Sequence, residues 1–418
     1  MLRLQMLPAA CGDCLWLEYG TPPATRLVII DGGLRATAAA LRQRLERARR
    51  ERGVDVLEVE LLVVTHIDND HILGVIELLE NAPPWLSIKD IWFNGRRQLR
   101  RLPAPPPAGS QPRKPDGRRP RDLMGGSDDE ASAADEDPRA SNALASPEDL
   151  LGPQQGDDLS KLLEDRRLPW NEHPTWRGEA VLVPDTGALP VVTLAGGLKL
   201  TLLSPTLDRL YRLCAAWASV LSGKDEPAAP GAGPRDLLGR RDTWPPVWKD
   251  GEGRDPSAAN GSSIALLAEY PSTRDPKVMH TLLLAGDAHA PDMLDGLERL
   301  RVERNIQGPV SLAAFKLSHH GSDKNLTRAL LEGIDCSRYI VSTDGTVHCH
   351  PDHQAMLRIL RYSRAVPELV FNCEADTTRP WRDRKSDVLD SGSVGVALRN
   401  YSTRYPDDPP EGIVLELD

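Results

Sequence analysis

The chain has 418 residues, well past the roughly 250 at which a single core usually stops growing, so one large or two smaller domains are expected. Its 51 Lys plus Arg against 61 Asp plus Glu give a net charge of -10, which excludes a protein that coats nucleic acid or anionic membrane by bulk charge and leaves room only for a local basic groove. With 40% apolar residues, 36 Pro and 33 Gly, the composition is that of a globular protein interrupted by long irregular stretches, and it excludes coiled coil and collagen.

Leu2, Leu4 and Met6 alternate as in a strand. The segment from Met1 to Cys11 is broken by Gln5 and Pro8, so it is read as a first strand and not as a secretory leader. Cys14 to Tyr19 and Leu27 to Ile30 continue as strands two and three. Ala36 to Arg52 has helical composition, Val59 to Thr65 is a buried apolar strand, Gly74 to Glu80 a short helix and Ile88 to Phe93 another strand. From Arg96 the chain turns Arg- and Pro-rich and then acidic around Asp128 to Asp137. Nothing from 103 to 160 is expected to fill a core, and 96–190 reads as an insertion, disordered in its centre.

Strands are expected again at 191–194 and 198–203, and a helix at 206–221, followed by a second Pro/Gly-rich loop at 223–259. Beyond it, strands at 264–270, 281–285, 313–317, 339–342 and 369–372 alternate with helices near 291–304, 325–333 and 352–362. This is an α/β layered protein, with 1–95 and 191–418 as the two halves of one domain. No apolar run reaches the roughly 18 residues of a membrane helix. The six Cys are scattered except for Cys11 and Cys14, which fits a reducing cytoplasm.

The densest chemical signal is Thr65-His66-Ile67-Asp68-Asn69-Asp70-His71, directly after an apolar strand. On a strand exit, positions i, i+2 and i+4 share a side, so His66, Asp68 and Asp70 can converge while His71 turns to a second point nearby. Two divalent ions about 3.5–4 Å apart suit such a cluster. Two later strands end the same way: Leu282 to Ala285 runs into Gly286-Asp287, and Ala314 to Leu317 into Ser318-His319-His320-Gly321-Ser322. Taken singly, a Gly-Asp turn or a His pair carries little weight; placed together at strand ends they define one edge of a sheet.

These segments, with Gly12-Asp13, Ile30-Asp31-Gly32-Gly33, Asn260 to Ser263 and His350-Pro351, resemble the metallo-β-lactamase fold superfamily. Where its usual pattern is His-x-His-x-Asp-His, this chain has Asp68 at the second His, as in the hydrolase domain of the ComEC DNA-uptake proteins and their stand-alone soluble relatives. The resemblance implies a four-layer αββα sandwich carrying long irregular insertions. It also implies two divalent ions, zinc or manganese, held by His66 and Asp68 on one side and Asp70 and His71 on the other. Asp287 would bridge and His319 would complete the second site. The superfamily supplies another His between the first motif and the bridging Asp, whereas this interval holds only His173 and His280.

Catalytic roles fall to Asp70, which can orient a water, to His350 as a phosphate or leaving-group contact, and to Lys316. The last fits an anion-stabilising group and equally a strand lysine whose ammonium reaches water. Asn260, Ser263 and His320 are the expected substrate contacts, while His348 and His353 read as solvated. Cys11-Gly-Asp-Cys14 is read as a turn. Carboxylates harden the site toward manganese, so a phosphodiesterase or nuclease acting on DNA, RNA or a nucleotide is the leading expectation. Hydrolysis of a thioester, lactone or other small carbonyl compound is the second. A regulatory module, with 96–190 contacting a protein partner in a defence system, is the third.

Overall fold

The computed structural model describes residues 1–104, 152–221, 244–390 and 395–417. Within them the chain is mixed α/β with several sheets. The six-stranded sheet runs Ile413–Glu416, Leu2–Met6, Leu15–Thr21, Ala24–Ile30, Leu61–Val63 and Ile91–Trp92. Its first four strands pair antiparallel and the last two join in parallel. The eight-stranded sheet runs Ser402–Arg404, Glu368–Phe371, Arg338–Val341, Ala314–Lys316, Met279–Leu284, Ala265–Pro271, Lys199–Ser204 and Val191–Thr193. It is parallel from Ser402–Arg404 through Met279–Leu284 and antiparallel beyond.

Period-two alternation explains how the first sheet is packed on both faces. Val28 and Ile30 enter a core shared with Leu200, Leu266, Leu282 and Phe315 of the second sheet. Leu27 and Ile29 enter the opposite core, with Leu41 and Leu45 of helix Ala38–Arg52 and Ile72 and Val75 of helix Asn69–Glu80. That second helix begins five residues before the expected Gly74. Asp70 and His71 therefore sit in its first turn, and the strand-exit geometry expected for His66, Asp68 and Asp70 gives way to a loop residue, a helix-capping position and a helical one.

Between 103 and 160 the expectation of no core residue fails at Leu159, which is fully buried on helix Gly152–Asp165. Gly152 packs this helix onto the first motif: a Cβ there would lie 2.7 Å from Ile67 Cγ1 and 3.0 Å from Asp68 Oδ1. The Arg- and acid-rich centre of that segment, and most of the second Pro/Gly-rich loop, lie outside the described residues. Among the strands not foreseen are Leu57–Val59 paired with Leu86–Ile88 and Val310–Leu312 paired with Ile334–Cys336. Three residues each are too few to show a period.

Candidate metal centre

Every parallel strand that matters to the site delivers its residue from the C-terminal end, where open α/β sheets place their ligands. Asp31 follows Ala24–Ile30, His66 follows Leu61–Val63, Asp287 follows Met279–Leu284, and His319 and His320 follow Ala314–Lys316. Two backbone bonds join the edges: Ile264 N donates to Thr65 O at 3.0 Å, and His319 N to Gly286 O at 3.1 Å. His319 and His320 both have positive φ, 48° and 54°, a conformation costly for residues with a Cβ. It turns the two adjacent imidazoles in different directions.

Asp287 is the centre. Its Oδ1 lies 3.4 Å from His71 Nε2, and its Oδ2 lies 3.9 Å from His66 Nε2 and 3.8 Å from His320 Nε2. Asp70 Oδ2 is 3.1 Å from His320 Nε2 and 3.7 Å from His71 Nε2, and Asp68 Oδ2 is 3.4 Å from His66 Nε2. His66, His71 and Asp287 form one group able to hold a cation, and Asp70, His71 and His320 another. It is thus His320, expected as a substrate contact, that closes on Asp70 and His71. His319, expected in that place, sits to one side, its Nε2 4.0 Å from Asp287 Oδ2.

Each imidazole is fixed from behind, as metal-binding histidines usually are. His71 Nδ1 donates to Asp31 at 2.9 Å and His320 Nδ1 to Ser342 O at 2.7 Å. Thr65 Oγ1 donates to Asp31 Oδ2 and therefore accepts from His66 Nδ1 at 3.0 Å. These contacts leave Nε2 of all three rings pointing into the cluster. His66 Nε2, Asp68 Oδ1 and Asp287 Oδ1 are buried with no hydrogen-bond partner, a costly state for a polar atom and one that a cation would relieve. Three imidazoles with three carboxylates are a donor set that suits a pair of divalent ions.

The other expected residues are placed differently. Lys316 is fully buried, its ammonium paired with Asp13 and 3.5 Å from Gly286 O; it braces the edge and is not open to a substrate. Ser263, also fully buried, accepts the Asp287 backbone N–H at 3.2 Å and so fixes Asp287. Asn260 donates to Asp255 at 2.8 Å behind the His319 ring. His350 does stand at the rim, its ring 5.3 Å from that of His319 and 5.7 Å from that of His348. His348, read as solvated, is half-buried beside it, and His353 packs against Trp244 and Trp381. His280 opens the strand that Asp287 follows, and His173 lies with Glu60 and Lys89 near the start of Leu61–Val63. Both are at the far ends of their strands, so neither is a ligand.

Asp13, Asp31 and Asp255, which lie against His320, His71 and His319 at 3.5, 2.9 and 3.4 Å, went unassigned. Asp13 and Asp31 stood in segments that carry the resemblance but were given no role, and only an adjacent Pro and the Asn260 cluster mark Asp255 within its loop.

The electrostatics follow from crowding. Burial opposes charge on His320, yet Asp287 and Asp13 outweigh it and raise its pKa to about 9. Burial likewise opposes charge on His71, but Asp287, Asp70 and Asp31 hold it well above the ordinary imidazole value. Asp287 is held far below the carboxylate range against its own burial by His71, His320 and His319. Protons on imidazoles thus do the work that a cation would do. Since His320 titrates higher folded than unfolded, its charge stabilises the metal-free fold fully below about pH 6.5 and that contribution fades as pH rises through about 9. Differential scanning fluorimetry of chelator-stripped protein should show Tm falling by a few degrees across that interval, while metal-loaded protein does not follow; parallel curves would contradict this account.

The first motif and its two supporting carboxylates lie within one recognisable span. Residues 13–175 match the family model of the metallo-beta-lactamase superfamily. Members of that superfamily are mostly metallohydrolases that bind divalent metals, in keeping with the donor set described above. The metallo-beta-lactamase match includes Asp13, Asp31 and the motif from His66 to His71, and ends before Asp287 and His320. No curated protein sequence matches the chain. Among the described residues no helix is long and apolar enough to cross a membrane.

Proposed function

We propose that the chain is a metal-dependent phosphodiesterase or nuclease of the ComEC-like branch, with its layers in αββα order, acting on DNA, RNA or a nucleotide with two ions of zinc or manganese. His66, Asp68 and Asp287 hold the first ion, and Asp70, His71, His320 and Asp287 the second. The observation that carries the reading is the make-up of the cluster and its mouth. Three carboxylates give an oxygen-rich donor set suited to manganese, and the imidazoles of His348 and His350 stand beside it, their rings 5.7 Å apart. Imidazole N–H groups bind phosphoryl oxygens; a thioester or lactone site calls for apolar lining.

Bound ions supply Lewis acidity toward a phosphoryl oxygen and lower the pKa of water. The chain's own part is positional. Asp70, with a side chain 25% exposed against 3% for Asp287, is the carboxylate best placed to accept a hydrogen bond from an attacking water. Asp31, Ser342 and Thr65 keep the imidazole Nε2 atoms turned inward. His350, held by Asp352 at 3.2 Å and with its ring 5.3 Å from that of His319, is the residue we assign to a phosphate or leaving-group contact. A protein partner reaching 96–190 and a role in defence belong to the same proposal.

Purified protein loaded with manganese or zinc should hydrolyse bis-p-nitrophenyl phosphate and at least one of single-stranded DNA, duplex DNA, RNA or a cyclic nucleotide, with manganese at least as effective as zinc. Turnover of thioesters or lactones alone, under either metal, would overturn the phosphodiester reading and leave the metal centre standing.

A further inference from the structure

The first ion has two protein side chains of its own, His66 and Asp68, besides the bridging Asp287, and the interval that should supply a third contains no histidine near the site. We infer that His319 is that third ligand and that Asp255, from the second Pro/Gly-rich stretch, is the residue that positions it. The inference rests on the two-ion reading above and not on the choice of substrate.

Three observations support it. The first is where the ring points: His319 Nε2 is 4.0 Å from Asp287 Oδ2, the oxygen that His66 Nε2 and His320 Nε2 approach to 3.9 and 3.8 Å, and of these three rings it is His320 that also meets Asp70, at 3.1 Å. His71 takes the other oxygen. The second is the tautomer. Asn325 Nδ2 donates to Asp255 Oδ2 at 2.9 Å and to Asp287 O at 3.2 Å, so its Oδ1, 3.2 Å from His319 Nδ1, is the acceptor side. Asp255 Oδ2 lies 3.4 Å from the same nitrogen. The Asn260 amide Nδ2 also lies 3.3 Å from it, but that group already donates to Asp255 at 2.8 Å; with a carboxylate and an amide oxygen as the remaining neighbours, Nδ1 carries the proton and Nε2 keeps the lone pair. His66, His71 and His320 are likewise held from the Nδ1 side, and a carboxylate behind the ring is the usual support of a metal-binding histidine.

The third is the rigidity of the support. The Asp255 side chain is 4% exposed and its Oδ2 also accepts from Asn260 at 2.8 Å. The loop that carries it is clamped from helix His353–Tyr362: Gln354 accepts from Lys249 N and donates to Val247 O, and buried Arg358 donates to Gly251 O, Asp323 O and Leu326 O. Arg358 thereby ties the Asp255 loop to the loop following His319 and His320. A substrate-binding imidazole would gain from being adjustable; this one is held on three sides.

Isothermal titration with manganese and with zinc, together with metal content after dialysis, tests the assignment in full-length protein. Wild type should bind two ions. His319→Ala should bind one, and Asp255→Asn, which keeps the shape and removes the charge, should weaken one of the two by about 10–100-fold while the other is unchanged; Asp255→Glu should recover part of the loss. The visible spectrum of cobalt-loaded protein should change at one of two sites in both His319→Ala and Asp255→Asn. If His319→Ala does not fold, Asp255→Asn alone decides. Two ions bound with wild-type affinity and an unaltered cobalt spectrum in these variants would overturn the inference, whereas a wild type that binds no metal would overturn the two-ion reading itself.

Discussion

Asp287→Ala should abolish hydrolysis, by at least about a thousand-fold, and reduce bound metal from two ions to fewer than one, while the far-UV circular dichroism of the metal-free protein stays that of wild type. Asp287 is the one residue whose two carboxylate oxygens face different imidazoles, Oδ1 toward His71 and Oδ2 toward His66 and His320, so its removal takes a ligand from each ion at once. The backbone at this point does not depend on the side chain: Asp287 N is bonded to Ser263 Oγ and Asp287 O to Asn325 Nδ2. Loss of the carboxylate also removes the main negative charge that sustains protonation of His71 and His320, so those rings can become neutral without an uncompensated buried charge. Metal analysis and a phosphodiester assay on the same preparation check it. Full activity with two bound ions would remove Asp287 from the centre of the site.

Gly74→Ala is expected to be a strongly damaging substitution for the addition of a single methyl group. A Cβ at Gly74 would lie 1.9 Å from Gly32 O and 2.5 Å from Gly32 C, and one at Gly32 would lie 2.4 Å from Val75 N. Helix Asn69–Glu80 is thus laid directly on the Asp31-Gly32-Gly33 backbone, with Gly32 N donating to His71 O and Gly74 N to Gly33 O. Neither side can yield by moving a side chain. Displacing the helix should cost about 3 kcal/mol or more and lower Tm by roughly 3–5 °C. It would also draw Asp70 and His71, one turn earlier on the same helix, away from Asp287, so metal affinity should fall with stability. Gly53→Ala is the comparison: it has a left-handed φ of 62° with open space around it and should cost about 1–2 kcal/mol with metal binding intact. Similar melting curves for the two variants would show that the helix can shift freely.

How far the sequence carried can be judged at particular residues. Leu2, Leu4 and Met6, and the run from Leu27 to Ile30, declared their strands because each had enough alternation or length to show a period. Leu159 did not declare its helix, because Gly152-Pro153 and a polar context hid a stripe that only packing against Trp217 and Ile67 makes visible. His66 to His71 was legible as a metal motif because four ligand types fall within six positions. The choice between His319 and His320 was not, since it turns on two consecutive left-handed φ values that adjacent identical residues cannot encode by spacing. The pairing of Lys316 with Asp13 spans 303 positions, and the support of His319 by Asp255 crosses from an irregular loop. Contacts of that range have no local signature.

The metal centre is divided between the two sheets in a way that also orders it in time. Asp31 and the motif from His66 to His71 belong to the first sheet, whereas Asp287 and His320 belong to the second and follow about 215 residues later in the chain. At about 5–20 residues per second, a ribosome needs roughly 10–40 s to cover that distance. Throughout that interval the nascent chain presents a half-site whose bridging carboxylate has not been made. A complete donor set would therefore exist only after Asp287 and His320 have been made, so the two-ion reading expects ions to be taken up late in synthesis or after it.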